Sequence, residues 1–288
     1  MEKLKTILSI AGSDYSGGAG IQADIRGANA LGVHCMTAVT AVTVQNSNGI
    51  HGIIPIPEGG ILDQVKAVTD EVMPDAIKIG LIIPENNGDE IFEIVSFFNN
   101  KIPIVVDPVI SASAGGLRND ELELSSTIKF YRELFRNFNV IPTPNIKEAE
   151  LILGKKLKSV SEYATELAYA FDLYAAVVTG GDVDAELKET PVTEENSIVD
   201  ALVFHTVKDG KETLEEMTIC SPKTESINLH GTGCLFSTLL ASNFSLGKPI
   251  KQSFTDTSRK IHEIIEHSGG YKLGNSSYGP LNISNYLL

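Results

Sequence analysis

The sequence has little of what marks several classes of protein. Its three cysteines are an odd number without metal-ligand spacing, so we expect reduced thiols in a cytoplasmic protein. No apolar run approaches the roughly 18 residues of a membrane-spanning helix. The N-terminus runs straight into a strand-like segment and shows no signal peptide. These absences favour a cytoplasmic protein that crosses no membrane.

Basic residues are also scarce relative to acidic ones. The chain carries 23 Lys and Arg against 37 Asp and Glu, which gives a formal net charge of −14. Nucleic acids and anionic membranes both require a basic face, so we expect neither as a partner. A small anionic substrate is compatible with this charge, provided that a cation or backbone dipoles neutralise it.

What the sequence does contain is an alternation of strand-like and helix-like segments. Strands are predicted over residues 5–12, 37–45, 76–83, 102–108, 140–144 and 175–179, and helices over residues 21–31, 62–72, 91–98, 122–138 and 250–267. Residues 197–205 and 213–221 flank Asp209-Gly210 and predict a hairpin. The alternation predicts an α/β fold with a mainly parallel sheet covered by helices on both faces. No linker divides the chain, so residues 1–288 are predicted to form a single domain.

A glycine-rich loop from Gly12 to Gly20 joins the first strand to the first helix. It lacks the Gly-Lys-Ser/Thr of a P-loop and the third glycine of a dinucleotide fingerprint. Ligands bind at the carboxyl ends of strands in α/β folds, so the loop is a candidate substrate site. The alternative is a flexible turn that binds nothing. Gln45, in a predicted turn cluster over residues 45–49, either faces the same ligand or is solvated.

A second glycine turn, from His230 to Cys234, is the feature around which the chain is organised. Gly231 and Gly233 let backbone N–H groups approach a ligand, and a helix follows at once. Unpaired N–H groups and the helix dipole form an anion site there. No Lys or Arg occurs from Thr224 to Ser245, so a phosphate would be held by backbone alone. The alternatives are an N-cap turn without a ligand and, for the cysteine, a small buried residue.

Candidate metal ligands stand at two further strand ends. Asp107 precedes Pro108 at the end of a buried strand, where a carboxylate suits Mg²⁺ or a hydroxyl. Asn145 and Glu148 have the spacing of an N-cap and its capping box, and their oxygens could also hold a hydrated metal. The alternatives are a turn aspartate and a purely structural cap. We assign Asp107 and Glu148 to Mg²⁺.

These features predict phosphoryl transfer, in which positioning and charge stabilisation supply most of the catalysis. Gly231, Thr232 and Gly233 would neutralise the moving phosphoryl group, and Mg²⁺ would bridge the nucleotide. Cys234 would take the proton from an attacking hydroxyl. A helix N-terminus lowers the pKa of a thiol, whereas a nearby triphosphate raises it, and the sequence leaves open which effect prevails.

Seven segments are typical of one family. They are AGSDYSGGAGIQAD (11–24), TAVTVQN (40–46), KIG (78–80), VDPV (106–109), TPNIKEAE (143–150), VTGG (178–181) and HGTGC (230–234). Through them the chain resembles the hydroxymethylpyrimidine/phosphomethylpyrimidine kinases of thiamine biosynthesis, in the ribokinase-like superfamily. The resemblance implies a three-layer αβα fold, ATP with Mg²⁺, and commonly a homodimer. The residues it implies for the pyrimidine pocket are Gly12, Ala19, Gln45, Val109 and Cys234. We add Asp14 to that pocket and assign Asn145, Thr179 and Gly181 to the nucleotide.

The chain departs from the family's pattern at three places. Leu235 follows the cysteine where Thr is usual. The segment expected to cover the site, within residues 111–116, lacks its usual Lys, and the C-terminal glycine segment is reduced at residues 276–280. The last two departures bear on nucleotide contacts and loop closure.

We expect phosphorylation of 4-amino-5-hydroxymethyl-2-methylpyrimidine and then of its monophosphate. The side-chain amide of Gln45 offers a donor and an acceptor, which match an aminopyrimidine edge. A pyridoxine or pyridoxal kinase is the alternative, because relatives of that specificity share the Gly-Thr-Gly-Cys turn. A non-catalytic sensor on the same fold is a third interpretation, although a sensor has no need of a base such as Cys234.

Overall fold

The computed structural model describes residues 3–46, 49–110, 121–181, 197–208, 210–224, 230–269 and 281–283. Within these residues the chain forms nine strands: β1 (Thr6–Ser13), β2 (His34–Asn46), β3 (Gly49–Pro55), β4 (Ala76–Ile79), β5 (Ile104–Val106), β6 (Ile141–Pro142), β7 (Ala175–Val178), β8 (Ser197–Lys208) and β9 (Lys211–Pro222). The same residues contain eight helices: α1 (Gly20–Asn29), α2 (Gly60–Thr69), α3 (Pro84–Phe98), α4 (Glu121–Asn137), α5 (Ile146–Leu153), α6 (Val160–Phe171), α7 (Thr232–Ser245) and α8 (Ile250–Glu266).

The strands form a six-stranded sheet in the order β3-β2-β1-β4-β5-β6 and a three-stranded sheet in the order β7-β8-β9. The larger sheet is parallel except for β3, which runs antiparallel to β2. An isolated parallel bridge joins Asn145 to Thr179, and the Thr179 N–H donates to the Pro144 carbonyl at 3.0 Å. This bridge connects the two sheets just beyond β6 and β7.

Helices cover both faces of the sheet. Alternate residues of each strand point to opposite sides, so each strand contributes side chains to both helical layers. Along β1, Leu8 and Ile10 belong to a hydrophobic cluster formed with α2 to α6. Ile7 belongs to a second cluster formed with α1, α7 and α8. The α/β fold in three layers is therefore confirmed.

Two elements were absent from the sequence prediction. Strand β2 extends to residue 46, one residue past the predicted strand and into the predicted turn cluster, and β3 follows as an antiparallel edge strand. The composition of β3, with two glycines and a terminal proline, masks its strand character. Helix α6 could have been predicted from the sequence. Ser159 caps it by accepting a hydrogen bond from the Glu162 N–H, and its buried residues recur at helical spacing.

The predicted hairpin is confirmed, since β8 and β9 pair antiparallel along their full length and Gly210 has a φ of 73°. Helix α7 is buried on nearly every side, and its polar residues Ser237, Thr238 and Asn243 are buried with the leucines. The predicted covering segment 111–116, the acidic stretch 182–196 and the segment 276–280 lie outside the described residues. Among the residues that are described, no helix has both the length and the apolar character to span a membrane.

Candidate active site

The start of α7 is open and has the geometry of an anion site. Gly231 is the N-cap with a φ of 85°, and its carbonyl accepts the first helical hydrogen bond from Leu235 at 2.9 Å. Gly233 is exposed. The amides of Gly233 and Cys234 donate to no residue that the structure describes. Residues 230–234, the anion turn, therefore present the Gly233 and Cys234 N–H groups, without a partner among the described residues, at a helix N-terminus.

A second segment packs directly against the anion turn. This substrate loop, residues 13–20, approaches so closely that a Cβ at position 231 would lie 1.7 Å from the Gly18 carbonyl oxygen. The loop folds back on β1, because a Cβ on Gly20 would lie 2.3 Å from the Gly12 oxygen. The Gly20 N–H also forms a hydrogen bond with the Cys234 thiol. Gly12, the substrate loop and the anion turn therefore lie together at one edge of the sheet.

The carboxylate of Asp14 holds the substrate loop together. It accepts hydrogen bonds from the Ser16 hydroxyl at 2.6 Å, the Gly18 N–H at 3.1 Å and the Ala19 N–H at 2.9 Å. Nε2 of His230 lies 3.2 Å from the same carboxylate. Burial raises the pKa of Asp14, but the hydrogen bonds outweigh it and hold that pKa well below its usual range. Asp14 is therefore an ionised, internally bonded residue of the loop.

Cys234 and Asp107 face each other beneath the anion turn. Asp107 is buried, and it accepts hydrogen bonds from the Cys234 thiol and from the Ser237 hydroxyl at 3.5 Å. Burial raises the pKa of the Cys234 thiol to about 12; Asp107 adds to the increase and Lys78 opposes it. Burial likewise raises the pKa of Asp107. In the absence of ligands, Cys234 is therefore a neutral thiol at neutral pH.

A buried ion pair, which was not predicted from the sequence, lies under this site. Nζ of Lys78 is 3.0 Å from both carboxylate oxygens of Asp24, and neither side chain is exposed. Burial lowers the pKa of Lys78, but its acidic neighbours, Asp24 foremost, raise it above its usual value. Thr238 of α7 donates to Asp24 at 2.6 Å. A lysine inside the apolar strand sequence AIKIG is the signal that could have identified this pair.

Asn145, Glu148 and Thr179 lie side by side at the junction of the two sheets. The capping box is confirmed, since the Glu148 N–H donates to Asn145 Oδ1 at 2.9 Å and Glu148 Oε2 accepts from the Asn145 N–H at 3.0 Å. Glu148 Oε1 also accepts from the Ile110 N–H at 3.4 Å. The parallel bridge places Thr179 beside Asn145, and Gly181 is exposed two residues later. These residues share the sheet edge that carries Asp107.

The family of this chain follows from its similarity to known protein families. The family profile described as phosphomethylpyrimidine kinase matches residues 14–282. The chain belongs to that family. A hydroxymethylpyrimidine/phosphomethylpyrimidine kinase of Bacillus subtilis is 32% identical over 279 residues, which cover 96% of this chain and 93% of the relative. A probable thiamine biosynthetic bifunctional enzyme of rice is 35% identical over 280 residues. The match covers 96% of this chain but 47% of the rice protein, so the chain spans about half of that relative.

Solved structures of related kinases have the same fold. An ADP complex of Bacillus subtilis pyridoxal kinase superposes with a TM-score of 0.78 at 27% identity and covers 98% of both chains. A phosphomethylpyrimidine kinase from Clostridium difficile gives a TM-score of 0.67 at 29% identity, covering 90% of this chain and 98% of that one. The family is thus a kinase family, and ATP is its phosphate donor.

The residues that the structure describes offer Mg²⁺ few neighbouring protein ligands. In the part of the chain that the structure describes, no three His, Cys, Asp or Glu side chains cluster closely enough to hold a metal. Mg²⁺ usually keeps several waters and binds one or two carboxylates together with substrate phosphates. Asp107 and Glu148 lie near the same strand end, since Glu148 Oε1 accepts from the Ile110 N–H three residues after Asp107, and both carboxylates also accept other hydrogen bonds from the protein. Two carboxylates of this kind are compatible with a phosphate-bound Mg²⁺, and their assignment to the metal stays a prediction.

Two predicted pocket residues lie at the rim of the site. Gln45 is on the part of β2 that extends past β1, three residues beyond Val42, which pairs with Ser13. It is partly exposed and opposite Ile50 of β3. Val109 is partly exposed, and its N–H donates to the Asp107 carbonyl at 2.9 Å. The contact of either side chain with a ligand stays a prediction.

Proposed function

We propose that this chain transfers the γ-phosphoryl group of ATP to 4-amino-5-hydroxymethyl-2-methylpyrimidine and then to its monophosphate, in thiamine biosynthesis. The observation that carries the proposal is the open tip of α7 beside the substrate loop, where the amides of Gly233 and Cys234 have no partner among the residues that the structure describes. Its kinase family and its named relatives support the same activity.

In the proposed mechanism the backbone of the anion turn stabilises the phosphoryl group. The Gly233 and Cys234 amides donate to its oxygens as charge shifts during transfer. Lys78 is fully buried against Asp24 and cannot reach a phosphate, so it acts only through its field. Asp107 and Glu148 would hold Mg²⁺, which neutralises phosphate charge when bound. Asn145, Thr179 and Gly181 would line the nucleotide side.

In this mechanism the Cys234 thiol first releases its own proton to solvent, and the resulting thiolate receives the hydroxyl proton of the alcohol. Because its pKa is raised to about 12, its thiolate is scarce at neutral pH but strongly basic once formed. Lys78 is the buried cation that stabilises that thiolate, as it lowers the pKa of Cys234. The second acceptor is a phosphomonoester, already mostly dianionic at neutral pH, so the second transfer needs no such base.

The acceptor pocket would be formed by Gly12, Ala19, Gln45 and Val109 around the alcohol. Gln45 can pair with the N and NH₂ edge of an aminopyrimidine through two hydrogen bonds. A pyridoxal kinase is the second candidate, because solved pyridoxal kinases share the fold over nearly the whole chain. Pyridoxal presents a phenol and a pyridine nitrogen, which match the amide less well.

Competing kinetics on the two alcohols test the assignment. The purified chain is assayed for ADP release with ATP, Mg²⁺ and either hydroxymethylpyrimidine or pyridoxal. We expect the higher kcat/KM for the pyrimidine. A higher kcat/KM for pyridoxal would replace our assignment with the second candidate, and absence of ADP release with both would favour a non-catalytic sensor.

The family resemblance also leads us to propose a homodimer. Val42, Val44 and Ile54 are exposed apolar side chains on the β2–β3 ribbon, and Val42 pairs with Ile54 in register. Alternation places Val44 on the same face as Val42, so the ribbon presents an apolar surface suited to a second copy. Light scattering of the wild type and of Ile54→Glu tests this: the variant should be a monomer, and an unchanged mass would exclude this face.

A further inference from the structure

The anion turn and the substrate loop are joined by one side-chain pair. Nε2 of His230 lies 3.2 Å from Oδ2 of Asp14, across 216 positions of sequence. The Asp14 side chain is buried, whereas His230 is partly exposed with 22% of its side-chain surface accessible. His230 immediately precedes Gly231, whose Cα packs against the Gly18 carbonyl. The pair therefore sits where the two segments meet.

One further hydrogen bond, from the Gly20 N–H to the Cys234 thiol, also crosses between the two segments. Two side chains of α1 instead hold the substrate loop to its own side of the site. Gln22 accepts from the Asp14 N–H at 3.0 Å and donates to the Ser13 hydroxyl at 2.7 Å. Arg26 donates to the Gly17 carbonyl at 2.9 Å and to the Leu281 carbonyl at 2.9 Å. Gln22 and Arg26 belong to α1, which begins at the end of the loop. They fix the shape of the loop but not its distance from the anion turn.

We propose that the hydrogen bond from His230 to Asp14 fastens the anion turn to the substrate loop and sets the distance between phosphoryl donor and acceptor. Both are positioning residues, because the Asp14 carboxylate already accepts hydrogen bonds from its own loop and His230 acts through Asp14. A neutral imidazole with its proton on Nε2 is a sufficient donor, so the contact does not depend on a charged histidine. This inference rests on the proposed kinase activity.

The contact has a kinetic consequence that a purely structural bond would lack. Reacting atoms held about 1 Å out of place lose roughly 100-fold in rate, while each substrate can still bind its own segment. We expect His230→Ala and Asp14→Asn each to lower kcat by about 10- to 100-fold, with the KM for ATP changed by less than about 3-fold. The double variant should be no slower than the slower single variant, because both remove the same contact.

Two variants act as controls for this experiment. His230→Gln places an amide donor near the position of Nε2, and we expect kcat within about 3-fold of the wild type. His262→Ala removes the other histidine–carboxylate pair, in which Nε2 lies 3.2 Å from Glu266 with the same 22% histidine exposure, on a helix away from the site. That variant should keep the wild-type kcat and KM.

Hydrogen exchange gives a readout that does not require turnover. The Gly18 and Ala19 amides donate to Asp14, and in His230→Ala they should exchange at least about 5-fold faster, with the melting temperature of the domain retained. A wild-type kcat for His230→Ala, multiplicative losses in the double variant, or unchanged exchange at these amides would each overturn the inference. A wild type that phosphorylates no alcohol would refute the proposed function instead, and the exchange result would still decide the contact.

Discussion

Replacing Gly231 by alanine tests the contact between the two segments of the site. A Cβ at this position would lie 1.7 Å from the Gly18 oxygen, and real Cβ atoms essentially never approach closer than 3.0 Å. The substrate loop must therefore retreat by more than about 1 Å. A displacement of this size costs roughly 100-fold in rate. The backbone also adopts a φ of 85°, which costs a non-glycine residue about 1–2 kcal/mol.

Gly247→Ala separates the backbone cost from the steric one. Gly247 has a φ of 77°, yet a Cβ there would have nothing within 4 Å. We expect urea unfolding to show a loss of about 1 kcal/mol for Gly247→Ala with unchanged kcat/KM, since only the backbone is strained. Gly231→Ala should lose more stability and about 100-fold in kcat/KM. Equal activity and stability in the two variants would refute the close packing of turn and loop.

Three further single substitutions test other parts of the molecule. Cys234→Ala should slow transfer to the alcohol much more than transfer to the monophosphate, and equal losses would show that Cys234 is not a base. Burial raises the pKa of Asp200 to about 6, so its native side chain holds an extra proton and its contribution to the unfolding free energy should fall from pH 4 to pH 6. In Asp200→Asn that fall, at most about 3 kcal/mol, should be absent from urea titrations; a fall equal to the wild type's would contradict the assignment. Lys78→Met should cost about 3–5 kcal/mol by leaving Asp24 unpaired, with part of the loss recovered in the Asp24→Asn double variant; no recovery would argue against the pair.

The sequence predicted the parts of the fold that depend on local pattern. The apolar run of β1, the alternation of strands and helices, and the Asn145 capping box all rest on residues within a few positions of one another. The position of the loops along one edge of the sheet also followed, because parallel strands bring their carboxyl ends to one side. Helix α6 satisfied the same local rules and could have been predicted from its cap and spacing.

The remaining features depend on contacts between distant segments. Nothing in the local sequence of Asp14 shows that its carboxylate forms hydrogen bonds with its own loop and with His230. The pairing of Lys78 with Asp24 is equally non-local, and it was visible only as a charge inside an apolar strand. The pKa of Cys234 was left open because burial, which dominates it, is set by the packing of the whole site.

The central claim is that backbone amides at the start of α7, and no side-chain cation, hold the transferred phosphoryl group. The most direct test follows the amide signals of Gly233 and Cys234 by nuclear magnetic resonance while a non-hydrolysable ATP analogue and Mg²⁺ are added. The account predicts large downfield shifts of both amide protons, which saturate with analogue binding. Binding of the analogue without change at these two amides would contradict it.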